Sequence, residues 1–130
     1  MLPLLLLLIG VPIAAWYWAK KRKPRYQWST TGCAFGAIAS PWSLGLYSTF
    51  FIPIVGLPSG LAGLALALFH GVPGFEIAKY LGLVPPMSVV EDMGHIYVEG
   101  INAIVWGAIY GALGWVIDRI RAAGHRVADA

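Results

Sequence analysis

The sequence has little charge and a single cysteine. Charged residues make up only 12% of the chain and apolar residues make up 58%. A soluble domain usually carries about 25% charged residues, so this composition excludes an ordinary soluble domain and is typical of a chain that lies in lipid. Because Cys33 is the only cysteine, no intrachain disulfide can form.

The sequence also lacks local signatures of catalysis. It contains no C-x-x-C, H-E-x-x-H, G-x-G-x-x-G or Walker motif, and no Ser, His and Asp set with the flanking motifs of a hydrolase. Each crossing of a bilayer takes about 20 apolar residues, which leaves little chain outside a membrane. We therefore expect a protein that is not an enzyme and that uses no cofactor and no metal.

Three apolar segments are long enough to cross a membrane as helices, at approximately 2–19, 31–52 and 96–118. The first has no positive residue ahead of its apolar core, which a secretory signal peptide requires, so we interpret it as an uncleaved anchor. Pro41 lies in the second segment and predicts a bend there.

A fourth apolar segment, approximately 58–83, is interrupted by Gly71, Pro73 and Gly74. It predicts either a re-entrant or broken helix or a complete fourth crossing. Three crossings would place residues 20–25 and the arginines after 118 on one side, as the positive-inside tendency favours. The predicted fold is an all-α integral membrane protein, a single membrane domain over 1–130, with about three transmembrane helices plus this segment. Four transmembrane helices are the alternative.

Five basic residues follow the first apolar segment directly. This placement indicates a membrane surface, with contacts to lipid headgroups, and not a nucleic acid partner. Because positive residues stay on the cytoplasmic side, we expect the N-terminus outside, and the basic loop 20–25 and the C-terminus in the cytoplasm. The five are Lys20, Lys21, Arg22, Lys23 and Arg25.

Small residues recur at helical spacing in three segments. Such seams let helices approach closely in lipid, where burying apolar surface gains little. They predict helix packing, either within this chain or against another subunit. The seams are Gly32, Gly36 and Ser40; Ser59, Gly63 and Ala67; and Gly100, Ala103, Gly107, Gly111 and Gly114.

A few ionisable residues near or within the apolar segments form a candidate polar or ion site. Carboxylates inside a membrane usually find partners or water-lined cavities, and Asn102 is one candidate partner for Glu99. The alternative interpretation is a solvated helix end, with acidic groups favoured near its N-terminus. The residues are His70, Glu91, Asp92, His95 and Glu99.

These features support two main hypotheses of function. The first is a small non-catalytic membrane subunit that packs by its small-residue seams against a larger membrane complex and aids assembly or stability. The alternative is a small oligomeric transporter or channel with a polar path near Glu99 and the broken segment 70–76, since interrupted helices mark substrate sites in transporters. A membrane enzyme that uses the candidate polar residues ranks last. The expected partners are membrane lipids, other membrane subunits or further copies of the chain.

Overall fold

The computed structural model describes residues 2–52, 56–85 and 96–128. Within them the chain is all-α, as predicted, and has four α-helices. Short 3-10 turns follow the first and second helices, at Pro24–Tyr26 and Ser48–Phe51. The helices are α1, Leu2–Arg22; α2, Gln27–Tyr47; α3, Gly56–Tyr80; and α4, Ile96–Ala128.

Two of the four helices are long and apolar enough to cross a membrane: α3 and the Ile96–Gly124 part of α4. Length and composition alone are weak evidence for a membrane location, because the core helix of a soluble protein passes the same test. The outer surface is nonetheless rich in large apolar side chains. Ile13 is 61% exposed, Ile104 74% and Ile120 66%.

The helix bounds differ from the predicted segments in three places. α2 begins at Gln27, four residues earlier than predicted, and ends at Tyr47. α3 is one helix of 25 residues that continues through Pro73, where the sequence indicated a break. α4 extends to Ala128, beyond the predicted end of the third span near residue 118.

α2 and α4 pack antiparallel through their glycines. Gly32 lies against the backbone of Tyr110, and Gly36, one turn later, lies against the backbone of Trp106. Gly114 lies against the start of α2. A Cβ at any of the three glycines would collide with a backbone carbonyl, so the small residues permit a contact that no other side chain would allow.

The first half of α3 packs on the end of α2 in the same way. A Cβ at Gly63 would meet the backbone of Tyr47, and one at Gly60 would lie 2.7 Å from the Cα of Phe50. Ala67, on the same side of α3, is 3% exposed. α3 therefore also runs antiparallel to α2.

The second half of α3 crosses α4 at an angle. In a regular bundle, two helices that are both antiparallel to α2 would be parallel to each other. Instead, His70 contacts Tyr110, whereas Gly74, further along α3, lies against Val98 near the start of α4. Beyond this crossing, Phe75 and Ala78 pack in a small buried apolar cluster that includes Val98.

Candidate functional site

Seven polar or aromatic side chains meet in the interior of the bundle, where α2, α3 and α4 come together. We call them the polar cluster. They form side-chain hydrogen bonds with one another or with the backbone of α3, and most of them are buried. The members are Ser40, Ser43, His70, Glu99, Asn102, Trp106 and Tyr110.

Asn102 binds the backbone of α3 on both sides of Pro73. Proline has no N–H and its ring conflicts with the carbonyl one turn earlier, so it disturbs the helical hydrogen bonds around it. The Asn102 side chain is fully buried; its Oδ1 accepts the N–H of Gly74 at 2.7 Å and its Nδ2 donates to the carbonyl of Gly71 at 3.1 Å. These bonds explain why α3 continues through Gly71, Pro73 and Gly74, where the sequence predicted an interrupted helix.

His70 is held by hydrogen bonds at both ring nitrogens. Its Nε2 lies 3.0 Å from the Tyr110 hydroxyl, and its Nδ1 lies 3.0 Å from the Leu66 carbonyl and 3.1 Å from Ser43 Oγ. The Ser43 hydroxyl donates to the Ala39 carbonyl at 2.6 Å, so its oxygen is free to accept. A neutral imidazole with its proton on Nδ1 and Tyr110 donating to Nε2 satisfies every one of these groups.

Aromatic rings enclose the imidazole of His70, which is 5% exposed. The ring centroids of Trp106 and Phe69 lie 4.8 and 5.1 Å from that of His70. Trp106 Nε1 also donates to the His70 carbonyl at 2.8 Å. His70 is therefore a packed and fully bonded residue in the middle of α3, directly before the residues at which the sequence predicted an interruption.

Glu99 is the incompletely bonded member of the polar cluster. Its Oε1 accepts the hydroxyl of Ser40 at 3.1 Å. Its Oε2 is buried and has no hydrogen-bond partner among the described residues. An ionised carboxylate offers about four acceptor positions, so a single hydroxyl donor leaves room for a proton, a cation or a water molecule at this oxygen.

A second acidic residue, Asp118, caps α2 from 90 residues away. Its Oδ1 accepts the N–H of Trp28 at 3.1 Å and its Oδ2 accepts the N–H of Ser29 at 2.9 Å. These amides belong to the first turn of α2, where no residue of the helix itself can bind them, and the N-cap residue Tyr26 provides no side-chain bond. The contact brings the last turns of α4 to the basic segment.

The structure describes only two of the five residues predicted for the polar or ion site. His70 and Glu99 both belong to the polar cluster, although they do not bond to each other. Glu91, Asp92 and His95 lie outside the described residues. Within 2–52, 56–85 and 96–128, no three His, Cys, Asp or Glu side chains come together as a metal site would require.

Most of the predicted seam positions pack inside the chain. Gly107 and Gly111 face Cys33. Ser59 bonds to Thr49, with 2.6 Å between the two hydroxyl oxygens. At Gly100 a Cβ would meet no atom within 4 Å, so this predicted packing residue has no close neighbour among the described ones.

Sequence reasoning missed Ser43, Trp106, Tyr110 and the capping role of Asp118. Asn102 was expected only as a partner of Glu99. The available signal for the polar cluster was a proline within one strongly apolar segment together with uncharged polar residues within another apolar segment.

Comparisons of the chain with protein-family models, with curated proteins and with solved structures find no match.

Proposed function

We propose that this chain is a small integral membrane protein without catalytic activity, and that Glu99 carries a proton or a cation within its helix bundle, as a small transporter or channel would require. The observation that carries the proposal is the buried Oε2 of Glu99, which has no hydrogen-bond partner among the described residues, while Oε1 accepts only the Ser40 hydroxyl there. A carboxylate in an apolar bundle is costly and usually marks an ion or proton pathway.

The arrangement of helix ends supports a membrane orientation with three full crossings. Asp118 brings the end of α4 to the start of α2, and hence to the basic segment after α1. Gly60 packs against Phe50, which places the start of α3 at the opposite end of α2. Because α4 is antiparallel to α2, it begins at this same end, so α3 makes no net crossing before α4 starts although it is one continuous helix. In the proposed orientation residues 20–25 and the last turns of α4 lie on the same side, which the positive-inside tendency assigns to the cytoplasm.

The subunit hypothesis is the second candidate. Internal packing of the glycine seams removes part of its basis, since seams that face α2 or α4 are not free to bind another protein. One observation still favours it: Gly100 and the 74% exposed Ile104 lie on a face of α4 that no described residue covers. A small residue beside a large one suits contact with another transmembrane helix.

The proposal is tested by proton and cation flux in proteoliposomes that contain the full chain. Glu99→Gln keeps the size of the side chain and removes its ability to hold a charge, so we expect flux to fall to the level of protein-free vesicles. Glu76→Gln is the matched control, because Glu76 is an exposed carboxylate on α3 whose loss should leave flux unchanged.

Unchanged flux in Glu99→Gln, or wild-type flux no greater than that of empty vesicles, would remove the transport proposal. Equal elution volumes of the variants in size-exclusion chromatography would show that assembly is intact. A pull-down from native membranes in mild detergent tests the second candidate. A stoichiometric membrane partner that Gly100→Leu releases would support it, and recovery of this chain alone would contradict it.

A further inference from the structure

At one end of the bundle α1 leads into α2 and α4 ends, and the described residues at this end carry an excess of positive charge. Among these residues Asp118 is the one carboxylate, and it uses both oxygens to bind backbone amides. In the part of the chain that the structure describes, no basic residue at this end forms an ion pair with it or with another acid. The basic residues are Lys20, Lys21, Arg22, Lys23, Arg25, Arg119 and Arg121.

A cavity of about 380 Å³ opens at this basic end, between the Pro24–Tyr26 turn and the last turns of α4. Arg25 and Tyr26 line one wall, and Trp115 and Arg119 line the other. Asp118 also lines this cavity. Two guanidinium groups from distant parts of the sequence thus share one concave site.

Both arginines lie against aromatic rings. The guanidinium carbon of Arg119 is 4.9 Å from the ring centroid of Trp115, and that of Arg25 is 5.9 Å from the centroid of Tyr26. A guanidinium group held over an aromatic ring keeps its N–H donors, which lie at its edge, available for a ligand. Paired N–H donors of this kind bind two oxygens of a phosphate group at once.

We propose that this cavity binds the phosphate of an anionic phospholipid headgroup, with Arg25 and Arg119 as the phosphate ligands and Trp115 and Tyr26 at headgroup depth. The proposal rests on the membrane location proposed above but not on transport through Glu99. Tryptophan and tyrosine concentrate at the membrane interface, and basic pockets between helices on the cytoplasmic side bind anionic headgroups. A second cavity of about 400 Å³ adjoins the first and shares Arg25, so the headgroup has room for its polar substituent.

The test is native mass spectrometry of the full chain in an uncharged detergent, titrated with phosphatidylglycerol or phosphatidylcholine. We expect the wild-type protein to bind phosphatidylglycerol at least about tenfold more tightly than phosphatidylcholine. The double variant Arg25→Gln/Arg119→Gln should lose that preference. Lys21→Gln/Arg22→Gln removes the same charge from the same end, but neither residue lines either of these two cavities, so this control should keep the preference.

Three results would overturn the proposal. The first is a wild-type protein that does not distinguish the two lipids. The second is an equal loss in the control variant, which would show diffuse attraction and no defined site. The third is displacement of the lipid by an equal concentration of inorganic phosphate, which would identify free phosphate as the ligand. Arg25→Lys/Arg119→Lys guards against misfolding, because it keeps both charges and should retain part of the preference.

Discussion

The sharpest structural prediction concerns Asn102→Leu, which removes the side-chain amide and roughly preserves its volume. The variant leaves the N–H of Gly74 and the carbonyl of Gly71 without the partners that now lie 2.7 and 3.1 Å away. An unpaired buried backbone group costs about 1–3 kcal/mol, whereas interhelical hydrogen bonds in membrane proteins average only about 0.6 kcal/mol. For two such groups we expect a loss of about 2–3 kcal/mol in the free energy of unfolding.

The assay is equilibrium unfolding in mixed micelles, with helix content measured by circular dichroism as denaturing detergent is added. Ile104→Ala, at a 74% exposed position of the same helix, is the control and should change the free energy of unfolding by less than about 0.5 kcal/mol. If Asn102→Leu lowered the free energy of unfolding by no more than about 0.5 kcal/mol, the role assigned to Asn102 would be refuted.

A double-mutant cycle with Pro73→Ala sharpens this test. Alanine supplies the missing N–H and removes the ring, so the ordinary hydrogen bonds of α3 can form around residues 71–74. Asn102→Leu should then cost at least about 1 kcal/mol less than in the wild-type background, since residues that share one network are coupled. Additive effects would show that Asn102 does not compensate for the proline.

Two further predictions concern the contacts between α2 and α4. Gly36→Ala places a methyl group against the backbone of Trp106 and should destabilise the bundle by about 1–3 kcal/mol. Gly100→Ala, where the new methyl group meets no described atom within 4 Å, should be neutral or stabilising by up to about 1 kcal/mol. Unfolding midpoints that change alike in the two variants would contradict this. Asp118→Ala should cost about 0.5–2 kcal/mol and speed hydrogen exchange of the first-turn amides of α2, and unchanged exchange there would show that the cap is unimportant.

The helical class and the presence of glycine faces suited to close packing follow from local features of the sequence. Long apolar segments with few charges favour helices, and glycines four residues apart mark a helix face that another backbone can approach. The sequence could not show that the glycines of α2 would face those of α4. That pairing depends on the register of two antiparallel helices, which only their combined packing determines.

The sequence also could not show that α3 continues through Pro73. Proline and two glycines predict a helix break, because local propensity is all that a short segment reveals. The groups that overcome this propensity lie on α4, about 30 residues later in the chain. Tertiary hydrogen bonds, and not the residues of the segment itself, decide whether the helix continues.

Close packing and the polar cluster depend on each other. Gly36 brings α4 so near to α2 that Ser40, one turn later, lies within hydrogen-bond distance of Glu99 and Asn102. A larger residue at Gly36 would move the two helices apart at that level and take away from Glu99 the one donor that it has among the described residues, the Ser40 hydroxyl. The carboxyl group would then have no hydrogen bond from any described residue, which an apolar bundle tolerates poorly. The glycine seam therefore acts on the candidate site as well as on stability.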